Sequence, residues 1–145
     1  AHTNLIIFMV KQVEFKLKPQ LRGCHLITYE ILSQLPALPQ TGLLNLFIKH
    51  TSAGICINEN ADTDVQTDLA HILDHIVPER QPYFRHTFEG DDDMPAHAKS
   101  ALTGNSLTIP ISRSRLNLGT WQGVYLCEFR NHGGARHIVA TIIGD

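Results

Sequence analysis

The chain has 145 residues, of which 43% are hydrophobic and 18% are charged, and its formal net charge is −2. This length suits one domain with one sizeable core, and the composition argues against disorder. Because the basic residues are scattered, we expect no nucleic-acid partner. The longest apolar run, Leu5 to Val10, is too short to span a bilayer, so we expect a soluble, cytoplasmic protein with no membrane partner.

In the first half of the chain, apolar residues recur either at every second position, which predicts strands, or at helical spacing. In chain order they predict one long strand or a bent pair of strands from Leu5 to Leu17, a short helix through Ile27 and Ile31 to Leu35, a strand from Leu43 to Ser52, a turn at residues 51–54 and a strand through Ile55 and Ile57.

In the second half, one helix has an apolar stripe, Asp62 or Thr63 as its N-cap, and Pro78 after its end. The other elements are a second helix, with Asp91 to Asp93 placed to cap it, and three strands, of which the last is central. The second half therefore contains a helix with Val65, Leu69, Ile72, Leu73 and Ile76 on one face, a loop from Pro82 to Met94, a helix from Pro95 to Leu102, and strands at Ser106–Ile111, Trp121–Arg130 and Arg136–Ile143.

Strands interrupted by separate helices favour an α+β fold. We expect a single domain with a mixed or antiparallel β-sandwich-like core flanked by helices. The cysteines Cys24, Cys56 and Cys127 are widely spaced and form no CxxC pair, so they are predicted to be reduced, mostly buried thiols.

The richest chemical segment runs from Arg85 to His97, where His86 and His97 flank four carboxylates that include Asp92 and Asp93. Imidazole with carboxylate suits zinc or another divalent ion, whereas carboxylates alone would suit magnesium beside a phosphate. A solvated loop whose acids cap a helix is the alternative. Capping explains one or two acids but does not explain the paired histidines.

His50 ends a predicted strand at the rim of the core, where a lone histidine is more often structural than a metal ligand. The neighbouring Thr51 and Ser52 lack the GxSxG surroundings of a nucleophile elbow, which disfavours a serine hydrolase. His71 and His75 have helical metal-pair spacing but lie on a polar helix face, and we leave them outside the site.

A third candidate region, residues 112–123 and 128–136, supplies arginine side chains that can bind phosphate oxygens and glycines that let a backbone approach a ligand. Trp121 suits either the core or stacking on a substrate ring, and each glycine alone is more often structural. The candidate substrate-binding residues of this block are Arg113, Arg115, Arg136, Gly133 and Gly134, and Glu128 points away from the Cys127 side of its strand.

These blocks resemble the YjbQ family, which is similar to secondary thiamine-phosphate synthases. The motifs run in order across about two thirds of the chain, and the EGDDDMPAH segment followed by LGTWQG is very specific. They are His50-Thr51-Ser52-Ala53, residues 58–62, EGDDDMPAH at residues 89–97, LNLGTWQG at residues 116–123, and His132-Gly133-Gly134.

The resemblance implies a homotrimer of α+β subunits with a small polar cleft near the subunit boundary. It also implies the joining of a pyrimidine diphosphate to a thiazole phosphate, with release of pyrophosphate. The implied metal ligands are His50, His86 and His97, for zinc or magnesium, with Asp92, Asp93 and Glu128 as additional ligands or as partners of the ligands.

On this hypothesis the small phosphorylated metabolite is bound by Lys99 and the three arginines, Trp121 stacks on a ring, and the carboxylates serve in catalysis. Two alternatives remain open. One is a trimer that binds a metal or a metabolite without catalysis, and the other is a metal-dependent hydrolase of small phosphorylated compounds.

Overall fold

Residues 8–145, which the computed structural model describes, form eight strands and three helices. Within them, no helix combines the length and apolarity needed to cross a membrane. The helices are α1 (Thr28–Gln34), α2 (Thr63–Ile76) and α3 (Asp93–Thr103). The strands are β1 (Met9–Lys16), β2 (Gly23–Leu26), β3 (Thr41–Ile48), β4 (Ala53–Glu59), β5 (Ser106–Ser112), β6 (Arg115–Leu116), β7 (Gln122–Glu128) and β8 (His137–Gly144).

The strands form two sheets, with the orders β1-β8-β3-β5-β6 and β2-β7-β4, and each pairing between these described strands is antiparallel. Alternate residues of both sheets contribute to one apolar core, since successive side chains of a strand point to opposite faces. The α+β prediction with an antiparallel sandwich-like core is confirmed. Buried members of this core include Leu44, Leu46, Ile48, Ile55, Ile109, Val124, Leu126, Ile138 and Ala140.

Strand β7 is buried on both faces, and this places the helices. Val124 and Leu126 face the core between the sheets. Tyr125 and Cys127 face the other way, into a second cluster that includes Ala96 of α3 and is covered in part by α2. The three-stranded sheet is therefore a middle layer, with the five-stranded sheet on one side and α2 and α3 on the other.

Most sequence-predicted elements are present. Strand β8 lies between β1 and β3, as its two apolar faces predict, and Asp62 caps α2 by accepting a hydrogen bond from the Asp64 N–H at 2.9 Å. The predicted first strand begins at Leu5, and its residues 5–7 lie outside the described part of the chain. Strands β2 and β6 were not predicted, because four and two residues are too short to show a period.

Two local predictions were wrong. Strand β3 ends at Ile48 rather than at Ser52, which leaves His50 in a loop. Asp92 occupies the N-cap position of α3, but its carboxylate accepts from Arg130 and from the Asn131 N–H instead of capping the helix. The acidic segment therefore serves contacts between elements, and these contacts position the candidate site.

Candidate functional site

The first turn of α3 carries a buried acid between two histidines. Asp93 begins the helix and its side chain is 1% exposed. His97 lies four residues further on, on the same helix face, because i and i+4 are neighbours on a helix. The preceding loop brings His86 back to the same point. We call these three residues the His–Asp–His cluster.

Two imidazole nitrogens of the cluster converge on one carboxylate oxygen. His86 Nε2 lies 2.6 Å from Asp93 Oδ2, and His97 Nε2 lies 3.1 Å from the same oxygen. The three ligand atoms lie within 4.8 Å of one another, and the ring centroids of the two histidines are 5.3 Å apart. His86 is half exposed, so the cluster opens to solvent on that side.

Arg130, which follows β7, holds the acidic segment from behind. Its Nε donates to Asp92 Oδ2 and its Nη2 donates to the Glu89 carbonyl, both at 2.9 Å. Its Nη1 donates to Asp93 Oδ1. One planar guanidinium thus fixes three acceptors and leaves Asp93 Oδ2 free to face the histidines.

These contacts decide the charge of the two buried acids. Burial alone would raise the pKa of Asp93, but the hydrogen bond from His86 and the charges of His97 and Arg130 lower this pKa overall. Burial also opposes ionisation of Asp92, and the Asn131 N–H and Arg130 again lower the pKa below its usual value. Both carboxylates are therefore ionised at neutral pH.

The loop after β3 fixes the orientation of His97. The Nδ1 of His97 lies 2.8 Å from the Thr51 carbonyl oxygen, which can only accept a hydrogen bond. Nδ1 therefore carries a proton, and Nε2 is the nitrogen that faces Asp93. A neutral ring would direct a lone pair at a carboxylate oxygen, so Nε2 must bear a proton or meet a cation. Metal-bound histidines usually have this arrangement, with the second nitrogen donating to a carbonyl.

Comparisons with known proteins identify the family. Residues 12–145 match the family model described as YjbQ, UPF0047 protein YjbQ-like. The chain belongs to the YjbQ family. A UPF0047 protein YjbQ of Escherichia coli O157:H7 is 45% identical over 136 residues, which cover 92% of this chain and 98% of the relative.

A second relative, the UPF0047 protein YjbQ of Salmonella typhimurium, is 49% identical over 126 residues, covering 86% of this chain and 91% of the relative. The crystal structure of a conserved hypothetical protein from Thermus thermophilus is similar with a TM-score of 0.76 and 36% identity. That match covers 88% of this chain and 97% of the Thermus chain. The predicted YjbQ resemblance is confirmed.

The YjbQ motif EGDDDMPAH thus contributes Asp93 and His97 to one cluster, and the motif's Asp92 lies behind them on Arg130. His50 lies outside the cluster. Its Nε2 accepts from the His137 N–H at 2.8 Å, and its Nδ1 faces Arg136 Nη1 at 3.3 Å. One ring nitrogen is bound to backbone and the other faces a cation, so the structure does not offer His50 to a metal.

Glu128 and Arg136 form a separate buried pair, and with His50 we call them the Glu128 group. Glu128 is fully buried, and Arg136 is 4% exposed. Arg136 donates to both Glu128 oxygens, at 2.7 and 2.5 Å, and the Arg130 N–H donates to Oε2 at 3.1 Å. These oxygens are engaged within the protein, so the geometry gives Glu128 a structural contact and does not present it to a substrate.

The two YjbQ glycines support this group. A Cβ on Gly133 would overlap Glu128 Oε1, so only glycine fits there without a shift. Gly134 has a φ of +69°, in the left-handed region that favours glycine. Both residues also line an open concavity with His132. Their packing explains the motif without a bound phosphate.

The other predicted substrate contacts are dispersed. Lys99 is 1% exposed, and its Nζ lies 2.5 Å from Asp74 of α2, so it is buried and paired. Arg113 and Arg115 flank the turn between β5 and β6 and line a separate concavity at that sheet edge. Trp121 is 63% exposed, which excludes the core alternative and leaves its ring free to stack.

Sequence reasoning missed Arg130 and the Thr51 carbonyl. The sequence pattern puts Arg130 at the end of the predicted strand Trp121–Arg130 and predicts Arg113, Arg115 and Arg136 as the phosphate ligands instead. An available signal was the pair of acids at the start of α3, because buried carboxylates require a cation or several N–H donors. A backbone carbonyl leaves no such signal in the sequence.

Proposed function

We propose that this member of the YjbQ family is a metal-dependent enzyme acting on a small phosphorylated metabolite, with a divalent ion held by His86, Asp93 and His97. The observation that supports it most is the convergence of both Nε2 atoms on Asp93 Oδ2 while the Thr51 carbonyl holds the His97 Nδ1–H. A cation at this point removes the conflict between the His97 lone pair and the carboxylate.

The distances fit such an ion after a small adjustment. Ligands of tetrahedral zinc at about 2.0–2.1 Å from the metal lie roughly 3.3 Å apart. The 3.1 Å between His97 and Asp93 is close to this value. The 2.6 Å between His86 and Asp93 is shorter, and His86 is exposed enough to move outward.

The donor set favours zinc over magnesium. Magnesium prefers oxygen ligands with near-octahedral geometry, whereas two imidazoles with one carboxylate are typical of zinc and other transition metals. Three protein ligands also leave one position for water or substrate, as in catalytic zinc sites.

For the reaction we propose thiamine-phosphate synthase chemistry, in which the thiazole nitrogen attacks a carbon and pyrophosphate leaves. A bound ion would stabilise the negative charge that develops on the departing pyrophosphate. Arg130 positions Asp93 for this task, the Thr51 carbonyl positions His97, and the exposed Trp121 offers a face to a substrate ring.

The test combines metal content with pyrophosphate release from the two phosphorylated substrates. His97→Ala and Asp93→Ala should each lose the bound zinc and the pyrophosphate release while remaining folded by circular dichroism. His75→Ala removes an exposed imidazole from α2 and is the matched control. Full turnover in either cluster variant would contradict the proposal.

A second candidate is a hydrolase of small phosphorylated compounds, for which an ion held by His86, Asp93 and His97 would supply an activated water. A panel of phosphorylated compounds, assayed for inorganic phosphate with and without a chelator, separates it from the synthase. Metal binding without turnover on either substrate set would instead support a non-catalytic binding protein.

We also propose that the chain assembles as a homotrimer, as the family resemblance implies. Val10, Ile143 and Leu43 lie in one row across β1, β8 and β3, and they are 67%, 46% and 47% exposed. Apolar rows on an outer sheet face are typical of subunit contacts. Light scattering should give the mass of a trimer, and Ile143→Lys should reduce it to that of a monomer. If Ile143→Lys remained a trimer, the subunit contact would not include this row.

A further inference from the structure

Three cysteines that are far apart in sequence meet on the helix-facing side of the three-stranded sheet. Cys24 lies on β2, Cys127 on β7 and Cys56 on β4, and all three thiols are free. They share an apolar cluster with Phe129 and with Leu69 of α2. The proposed metal enzyme makes no use of them.

The strand register separates the possible pairs. Cys24 and Cys127 are directly opposite each other in the antiparallel β2–β7 pair. Directly opposite residues have Cα atoms about 4.5–5.5 Å apart. A disulfide accepts Cα separations of about 4.4–6.8 Å, so this pair can be bridged without moving the strands.

Cys56 is a diagonal neighbour of Cys127, whereas Cys24 is directly opposite Cys127. Its Sγ lies 3.8 Å from Cys127 Sγ, but the register places Cys56 opposite Tyr125 and Cys127 opposite Gly54. Such diagonal neighbours are about 7–8 Å apart, which exceeds the separation that a disulfide usually spans. Contact between the sulfurs therefore does not favour a Cys56–Cys127 bond.

Access distinguishes Cys24 from Cys127, while Cys56 is the most exposed of the three thiols. A cavity of about 230 Å³ between α2 and the sheet is lined by Cys24, together with Arg22 and Asp74. Cys127 is 1% exposed, against 6% for Cys24, and does not line the cavity. The neighbouring Cys127 thiol lowers the pKa of Cys24 overall, against burial and the charges of Cys56 and Asp74, and the charge of Lys99 acts in the same direction as Cys127. The contact with Cys127 lowers the pKa of Cys56 in the same way. Cys24 is thus the member of the Cys24–Cys127 pair that a small reagent in the cavity reaches first.

We propose that Cys24 and Cys127 form a peroxide-sensitive thiol pair, oxidised to a disulfide by a small hydroperoxide that enters this cavity. The Cys24 thiolate attacks the terminal peroxide oxygen, the O–O bond breaks, and the departing alkoxide or hydroxide takes up a proton, which leaves Cys24 as a sulfenic acid. The Cys127 sulfur then attacks the Cys24 sulfur. The S–O bond breaks, and the oxygen leaves as water with the Cys127 proton.

The test treats the intact, reduced protein with hydrogen peroxide, alkylates the remaining thiols after denaturation, and maps the peptides by mass spectrometry. We expect a product lighter by two hydrogen atoms, with one alkylated residue, Cys56, and a peptide pair joined through Cys24 and Cys127. Cys56→Ser is the matched control and should form the same bond. Cys24→Ser should abolish it.

Three results would overturn the proposal. They are a bond that includes Cys56, a sulfinic acid on Cys24 without a disulfide, and three thiols that remain alkylatable after treatment. Co-purification of a metal that Cys24→Ser releases would also overturn it, since the thiols would then be metal ligands. Mapping of the unaltered protein gives the first three of these answers, so they do not depend on the variants folding.

Discussion

Two regions of this protein combine the same residue types and differ in how their hydrogen bonds are completed. The His–Asp–His cluster and the Glu128 group each contain a buried carboxylate, an arginine and histidine. In the Glu128 group, Arg136 donates to both carboxylate oxygens, and His50 Nε2 accepts from a backbone N–H. In the cluster, two imidazole nitrogens face one carboxylate oxygen.

The difference shows that the residue types of a buried polar group do not by themselves distinguish a structural role from a candidate metal site. A buried group with matched donors and acceptors is stable as it stands. A group that directs lone pairs at one point requires a proton or another cation there, and is therefore the better candidate for a metal. Variants of the Glu128 group should therefore mainly change the free energy of unfolding, whereas variants of the His–Asp–His cluster should mainly change zinc affinity.

The largest effect on stability is expected from Glu128→Ala. The variant leaves the Arg136 guanidinium buried without its anion, and the loss of one partner of a buried pair lowers the free energy of unfolding by about 3–5 kcal/mol. Urea unfolding should show this loss, while zinc affinity of the folded variant stays near that of the parent. Glu14→Ala breaks an exposed pair with Lys49 and is the control, with little change expected. If Glu128→Ala and Glu14→Ala lost the same free energy of unfolding, burial would not explain the stability of the Glu128–Arg136 pair.

Zinc titration should instead show a large effect for a variant of the His–Asp–His cluster and no effect for a variant of the Glu128 group. His97→Ala removes a proposed ligand and should weaken zinc binding by more than about 100-fold, since even the outer partners of ligands contribute about 10- to 100-fold. His50→Gln keeps an acceptor for the His137 N–H and should bind zinc as the parent does. If His50→Gln lost the metal and His97→Ala kept it, the assignment of the two regions would be reversed.

A smaller effect is expected from Arg130, which contacts the cluster from behind. Arg130→Ala releases Asp92, Asp93 and the Glu89 carbonyl, so zinc affinity should fall by about 10- to 100-fold. Arg130→Lys keeps the charge but loses the planar fork, and it should remain weaker than the parent. Tighter binding by Arg130→Ala would show instead that the arginine's charge repels the ion more than its contacts orient the ligands.

Sequence periodicity predicted the longer strands and helices, because burial of alternate or helically spaced residues leaves a pattern. The motif segment also predicted Asp93, His86 and His97 as neighbours. It could not predict that His50 binds a backbone N–H or that Lys99 is paired with Asp74, because such contacts join residues distant in sequence. The same holds for the three cysteines, whose proximity depends on strand register.

The smallest expected effect is a dependence of stability on pH that arises from His50 in the Glu128 group. Burial lowers the pKa of His50 below 6.5, and the nearby Arg136, His137 and Lys49 act in the same direction while Glu128 opposes them. Below pH 6.5 the unfolded chain therefore takes up this proton before the folded protein does. Stability should fall as the pH decreases from 6.5 toward the folded pKa.

Because His50→Gln cannot titrate, its free energy of unfolding should depend less steeply on pH in this window. Urea unfolding of the parent and the variant at a series of pH values measures the two slopes, with His75→Ala as the control for loss of an exposed imidazole. Parallel slopes for the parent and His50→Gln would mean that His50 does not stay neutral in the fold. The Glu128 group would then no longer be the self-sufficient counterpart of the His–Asp–His cluster.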